Sequence, residues 1–409
     1  MVLAIAERPV HTTPVPRGRQ TGAAPAWQEV VLRICCRKDL ATYDPYDIWS
    51  TPWGLRVKDF FNHHRMLGLV PAAALQLFDF YVNNKARYFY APHEEPAVRA
   101  MAALCLMNLY GRTGQVGPLE CARDHLSWLA THAVRTDHGI GWGLNFSHMV
   151  SRTVRHHANT PFTTTTPYCM EAFLQYESLS GDDRFRPVLE GILLFFDRDL
   201  VAMDEGADYL ATSYAPMRDR IAINAVAYTM FSLASLLDYA PPKDRGRMCE
   251  KIGKLCNYIV MQQREDGSWL YSPEGHSFID CFHSCFVMKN LIKAGRVVSL
   301  PQAAGCVPRG YEYVKRTLYD VRVGLFRRFS LANKPGLVKY DLYDNAEMLN
   351  LALLLGDDRF AEDLAAAIQR HFCLGEDVYS VIDWLGRHKN KNMLRWAVMP
   401  YLLALSQTG

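Results

Sequence analysis

The sequence predicts an all-α protein, an (α/α)6 toroid of six helical hairpins with polar-aromatic loops gathered at one mouth. Three observations predict it. Helical periodicity runs through most of the 409 residues while strand signals are nearly absent. The same joint, GDDRF, stands at 181–185 and at 356–360. Hairpins recur at a spacing of roughly 60 residues, wider than the ~34–47 of open helical solenoids, with long polar-aromatic loops between them.

Taken in chain order, residues 1–28 (MVLAIAERPVHTTPVPRGRQTGAAPAWQ) read as a flexible leader. Their apolar start is six residues long, short of a secretory core of ~7–15. A toroid domain is then expected over 29–409, with helices near 57–82, 94–111, 117–133, 167–180, 183–200, 220–238, 243–263, 279–294, 309–319, 343–355, 357–373 and 391–406. In the segment from Pro96 to Arg112, apolar residues at 98, 101, 102, 105, 106 and 109 keep the i, i+3, i+4 spacing of one helix face. At each GDDRF joint a Gly (Gly181, Gly356) supplies the left-handed end of one helix, and an Asp is expected to cap the next.

Composition narrows the function. A formal net charge of +3 is too mild to argue for nucleic acid or an anionic membrane surface as partner. No run approaches the ~18 consecutive apolar residues of a membrane span, and the location expected is cytoplasmic. Eleven cysteines in so long a chain sit mostly in apolar helical patterns and read as buried free thiols. Cys281, His283 and Cys285 do not converge as metal ligands need to, so no metal and no cofactor is expected.

The loops hold the unusual residues. YDPYDIWSTPWG offers Asp44, Asp47, Trp49 and Trp53, and GWGLNFSHMVSR offers Trp142, Asn145, His148 and Arg152. QQREDGSWLYSPEGHSFIDCFH at 262–283 contributes Trp269, Asp280 and His283, and KYDLYDNAE contributes Tyr340, Asp341, Tyr343 and Asp344. Asp219, Arg220 and Asn224 open a further helix. Asp219, Asp280 and Asp344 also stand where helix capping is the ordinary role, and a loop Trp is commonly a packing anchor. Taken together, flat rings beside carboxylates, amides, imidazole and guanidinium suit a carbohydrate, whose C–H faces stack on aromatics while its hydroxyls need paired donors and acceptors. Cleaving a glycosidic bond needs two carboxyls. Removing the C5 proton of a uronic acid needs a base such as His or Tyr, with Asn or Arg neutralising the carboxylate. His283, held by Asp280 on the same helix face, is the expected proton-transfer group, with Asp47 or Asp344 as partner carboxylate.

Two resemblances arise at these residues. Gln263, Gly267 and Trp269 match the short Q-x3-G-x-W motif of squalene cyclases and related toroids, but the D-x-D-D signature of proton-initiated terpene cyclases is missing. From about residue 40, the ordered series YDPYDIWS, GLNFSHMVSR, LSGDDRF, RIAINA, the 262–283 stretch, RGYEY, YDLYDNAEM and a late RW resembles an exopolysaccharide-biosynthesis family. Its members are expected toroids encoded in bacterial capsule and biofilm loci, of the type of the J protein of the Vibrio polysaccharide cluster. The resemblance implies action on a polysaccharide or lipid-linked oligosaccharide by hydrolysis, elimination or epimerisation, with possible association with other polysaccharide-synthesis proteins. It brings no catalytic set, and GLNFSH departs from the family's usual aromatic-Asp-Trp-Gln stretch. A non-catalytic glycan-binding component and a terpene cyclase-like protein are the alternatives.

Overall fold

A computed structural model describes residues 26–149, 153–275 and 277–408. Its fifteen α-helices begin with α1 (Ala26–Cys35), α2 (Asp47–Ser50), α3 (Pro52–His63) and α4 (Arg65–Leu77). Then come α5 (Pro96–Thr113), α6 (Val116–Thr131), α7 (Thr166–Ser180), α8 (Arg186–Leu194), α9 (Ile223–Ser235) and α10 (Pro242–Met261). The chain ends with α11 (Cys281–Gly295), α12 (Cys306–Leu318), α13 (Leu342–Leu355), α14 (Asp358–Phe372) and α15 (Met399–Gln407).

Packing sorts these into two concentric rings. Helices α5, α7, α9, α11, α13 and α15 form the inner ring, which closes where α15 meets α5. Helices α6, α8, α10, α12 and α14 each pack outside the inner helix that precedes them. The sixth outer position is filled by α1, which lies against α5 and α15. Composition explains the sorting. Inner helices face protein on both sides, so α9 buries every residue from Ile223 to Ala234. Outer helices are amphipathic: α14 buries Ala361, Leu364, Ala367, Ile368 and Phe372 and turns Glu362 and Asp363 to solvent.

The Gln-Gly-Trp motif ties hairpins together. Gln263 Nε2 donates to the carbonyls of Gly267 at 3.0 Å and Cys306 at 2.9 Å, joining the end of α10 to the start of α12. Trp269 is buried and its indole donates to Ile259 O at 3.0 Å. Gly267 has φ +94°, and a Cβ there would lie 2.5 Å from Arg309 O. Only glycine fits this turn.

Several sequence expectations change in the structure. The helix expected over 57–82 breaks at His64 into α3 and α4, followed by a π-turn at Phe78–Val82. The segment 391–406 yields only α15 as regular α-helix, because 388–391 is a strand and Leu394–Val398 a kinked turn. Strand 377–383 pairs with 338–341, 373–374 and 388–391 in a small sheet that the sequence did not signal. Strand 377–383 (DVYSVID) lacks strict apolar–polar alternation, and its partners are only two to four residues long. At both GDDRF joints the Gly is left-handed, with φ +68° and +72°. At the first joint Asp182 does not cap a helix, since it takes the Arg184 N–H at 3.1 Å and the helix begins at Arg186, whereas at the second Asp357 stands at the N-cap position of α14. All eleven cysteines are free thiols. Among the described residues, one stretch, Arg65–Val82, is long and apolar enough to cross a membrane by length and composition alone.

Candidate functional site

At one mouth of the inner ring lies a cavity of about 440 Å³. Its wall comes from the loops after α1, α6, α8 and α12, from α2, α3 and α4, from the N-terminal turns of inner helices, and from the turn before α15. The lining is largely aromatic. Tyr343 and Trp396 stack face to face with centroids 4.4 Å apart, and Phe282 meets Tyr343 edge-on at 5.2 Å. Phe162 and Tyr214 stand 5.4 Å apart on another part of the wall. Among these rings sit four cations, Lys58, Arg220, Lys334 and Arg395, and two imidazoles, His148 and His283. None of the described lining residues is a carboxylate.

The carboxylates stand one layer behind, each holding a group that faces the cavity or neighbours one that does. Asp280 caps α11 by accepting the His283 N–H at 3.2 Å, and its two oxygens meet His283 Nδ1 at 2.9 and 2.8 Å. Asp44 pairs with the Arg395 guanidinium. Burial works against the Arg395 charge, but Asp44, Glu95 and Tyr343 outweigh it and raise its pKa. Asp341 caps α13 through the Tyr343 N–H at 2.9 Å. Its other oxygen accepts from Arg328 at 3.0 Å and from the Trp396 indole at 3.1 Å. The aromatic rings of the wall are thus set by buried charge as well as by packing.

His148 has a different support. Burial first, then the positive field of His156, Arg220 and Arg395, pushes its pKa down to about 3, so its imidazole is neutral at ordinary pH. Its ring lies 5.1 Å from that of His156, whose Nε2 meets Asp219 Oδ2 at 3.0 Å with both side chains buried. Three buried polar atoms on lining residues have no protein partner: His148 Nδ1, Arg220 Nε and Asn224 Oδ1. Unpaired buried groups of this kind cost ~1–3 kcal/mol each unless a ligand or water meets them.

Of the residues singled out in the sequence, Trp49, His148, Arg220, Asn224, His283 and Tyr343 line the cavity. Asp280, Asp44 and Asp341 act from behind it, as described. Asp47 is buried against His93, with 2.9 Å between Oδ1 and Nε2. Asp344 does not cap its helix; it accepts the Phe282 N–H of α11 at 3.1 Å, and its other oxygen is buried without a protein partner. Asp219 precedes α9 by several residues and braces its own loop through the Tyr214 and Arg220 N–H groups. Trp142 and Trp269 are core anchors, each donating to a backbone carbonyl. Trp53 is part-exposed against Phe89, Asn145 is exposed, and the Tyr340 hydroxyl donates to Asp320 at 2.8 Å. Arg152 lies outside the described residues.

The sequence reading passed over Arg395, Trp396, Lys58, Phe282, Tyr214 and Tyr46, all on the cavity wall. Two had a signal. Tyr46 lies inside YDPYDIWS, and Arg395–Trp396 is the late RW pair.

No family profile matches the chain, and no curated protein matches it in sequence. Solved structures do. Cellobiose 2-epimerase from Bacillus thermoamylovorans superposes with a TM-score of 0.57 at 10% identity, covering 84% of this chain and 98% of its own. A GH76 α-mannanase from Bacteroides thetaiotaomicron gives 0.56 at 10% identity, covering 89% and 98%. A sugar epimerase from a ruminal bacterium gives 0.55 at 10% identity, covering 77% and 86%. At such identities the likeness is one of fold, and the chain is an all-α (α/α)6 toroid built like these proteins.

Proposed function

We propose that this chain is a carbohydrate-active protein of bacterial exopolysaccharide or capsule biosynthesis. In this reading it moves protons on an acidic sugar unit of a polysaccharide or lipid-linked oligosaccharide. The observation that carries it is the lining itself: stacked rings, two imidazoles and four cations, with no carboxylate among the described lining residues. Glycoside hydrolysis through paired carboxyls lacks its reagents on such a wall. Epimerisation or elimination has them. His148, a weak base in the empty cavity, accepts the proton once the sugar carboxylate beside it offsets the positive field of His156, Arg220 and Arg395, and Arg220 or Arg395 holds the charge that develops. His283, aimed by Asp280, serves the opposite transfer.

Structural neighbours named as sugar epimerases support the reaction class, and the ordered motifs of the exopolysaccharide resemblance support the setting. The reading includes a cytoplasmic location and association with other polysaccharide-synthesis proteins.

Oligosaccharides containing uronic acids, incubated with the protein in D2O, test it. Deuterium at C5 marks epimerisation, and absorbance of a new unsaturated uronate marks elimination. Tight binding without either change makes the protein a glycan-binding component. No binding of acidic over neutral oligosaccharides removes the reading.

A further inference from the structure

The helical hairpin α3–α4 turns the wrong face outward. Met66, Leu69, Val70, Ala73 and Leu77 follow the i, i+3, i+4 spacing of a single stripe, which in a surface helix would be polar. Here the stripe is exposed, with Met66 at 86% and Val70 at 73%, and Leu67 beside it at 71%. Phe60 extends the apolar surface onto α3, and Phe89 extends it past the following turn. A scattered exposed leucine is ordinary, but a contiguous face of this kind marks a contact surface.

The inward face shows that the helix lies on the protein rather than leaving it. Gly68 is so close to α3 that a Cβ would fall 2.4 Å from Phe61 Cα. Gln76 accepts the Trp49 indole at 3.2 Å, and Asp79 accepts from Tyr90 and Asn83 at 2.8 and 3.1 Å. These polar anchors hold the hairpin to the neighbouring segments of the chain, and Asn84 just beyond it donates to Asn390 Oδ1 at 2.7 Å; together they oppose a bilayer-spanning arrangement.

Charge identifies the occupant. Exposed Arg56 and Arg65 stand on the hairpin itself, Arg155 shares a groove with Arg56 and Asp59 of α3, exposed Lys85 follows the hairpin in the chain, and His63 and His64 form its tip. Aliphatic side chains flanked by aromatic and cationic ones are the composition of helices that lie in a bilayer interface. We infer that the α3–α4 hairpin docks the protein on an anionic lipid surface, its apolar stripe entering the headgroup boundary. Lys58 and Gln76 of the same hairpin line the cavity, so docking brings the cavity mouth to the membrane. This inference does not depend on the reaction, because its test reads binding and not turnover.

The test is co-flotation of the full chain with phosphatidylcholine vesicles, with and without phosphatidylglycerol. Wild type is expected to float with the anionic vesicles and to be released by salt. The double variant L67Q/V70Q should bind at least ~10-fold more weakly with an unchanged melting temperature, because both side chains are exposed. Absence of wild-type flotation overturns the inference, and a dimer in light scattering that the variant dissociates assigns the face to a second copy instead. Flotation that appears only after residues 1–25 are removed assigns it to that segment and also overturns the inference. Equal flotation of variant and wild type does the same.

Discussion

Asp280 and His283 are joined twice, once through the His283 backbone N–H at 3.2 Å and once through Nδ1 at 2.8 Å. One carboxylate therefore starts helix α11 and aims the imidazole at the cavity. The two roles separate by mutation. His283→Ala should lower turnover by ~10²-fold or more and leave the melting temperature nearly unchanged. Asp280→Ala should lower turnover and also stability, the latter by about 1 kcal/mol for the lost cap. Full activity of His283→Ala on the natural substrate would make this residue structural.

Asp344 should behave in the opposite way. Burial, with Asp341 and Asp280 adding to it and Arg328 opposing, raises its carboxyl pKa well above the usual range. A carboxyl raised in the folded state costs stability as pH rises above its unfolded value of ~3.9. Asp344→Asn keeps the acceptor for Phe282 N–H and removes that cost. Its midpoint in urea at pH 7 should rise, by about 1 kcal/mol in stability, with turnover within a few-fold of wild type. Loss of turnover with stability unchanged would return Asp344 to the reaction.

Two histidines give the stability curve opposite slopes. Burial opposes the charge of His93, but Asp47 and Glu95, at 2.9 and 3.1 Å, push its pKa up to about 10. Its contribution is complete below ~6.5 and is lost as pH rises through about 10. His148, pushed down to about 3, contributes above ~6.5, and that contribution drains away as pH falls toward 3. Melting temperatures should show His93→Gln flattening the alkaline side and His148→Gln the acid side. Curves for both variants parallel to wild type would contradict these assignments.

Arg220 lies over the Tyr214 ring at 4.3 Å with Nε unsatisfied, placed to meet an anion. Arg220→Gln should weaken binding of an acidic oligosaccharide by at least ~10-fold in calorimetry. Binding of a neutral one should change little. Equal weakening of both ligands would point to a collapsed wall rather than a lost charge contact.

We propose that the two rings unfold as one unit, because inner helix packs on inner helix all the way round. Trp269→Ala, which removes a buried anchor between hairpins, should cost ~3–5 kcal/mol and lower a single cooperative transition. Two separate transitions in calorimetry would contradict the single unit.

The ring was legible because burial on both faces forces inner helices to be apolar throughout, and because glycine at 181 and 356 must be left-handed. The loops were legible in composition and not in depth. Asp44, Asp341 and Trp49 all stand in polar-aromatic runs, yet only Trp49 lines the cavity. Which side of a wall a carboxylate occupies depends on partners far away in sequence, such as Arg395 for Asp44, 351 residues on. Local spacing carries no trace of them. Helix α1 escapes the sequence because it is a short outer helix of ten residues, and α4 merges with α3 because His64 is a break without Gly or Pro.

Helix α1, near one end of the described chain, packs against α15 at the other end as well as against α5. Closing a loop costs entropy that grows only with the logarithm of its length, but the search it demands is long. Five joints can zip up from neighbours in sequence; the sixth must wait for a partner hundreds of residues away. Before that meeting, the flanks of α5 and α15 are bare apolar seams, open to the same pairing with another molecule. Three-dimensional exchange of α1 between two chains would satisfy both seams at once. High protein concentration during refolding should therefore favour intertwined dimers, whereas slow dilution should favour the closed monomeric ring.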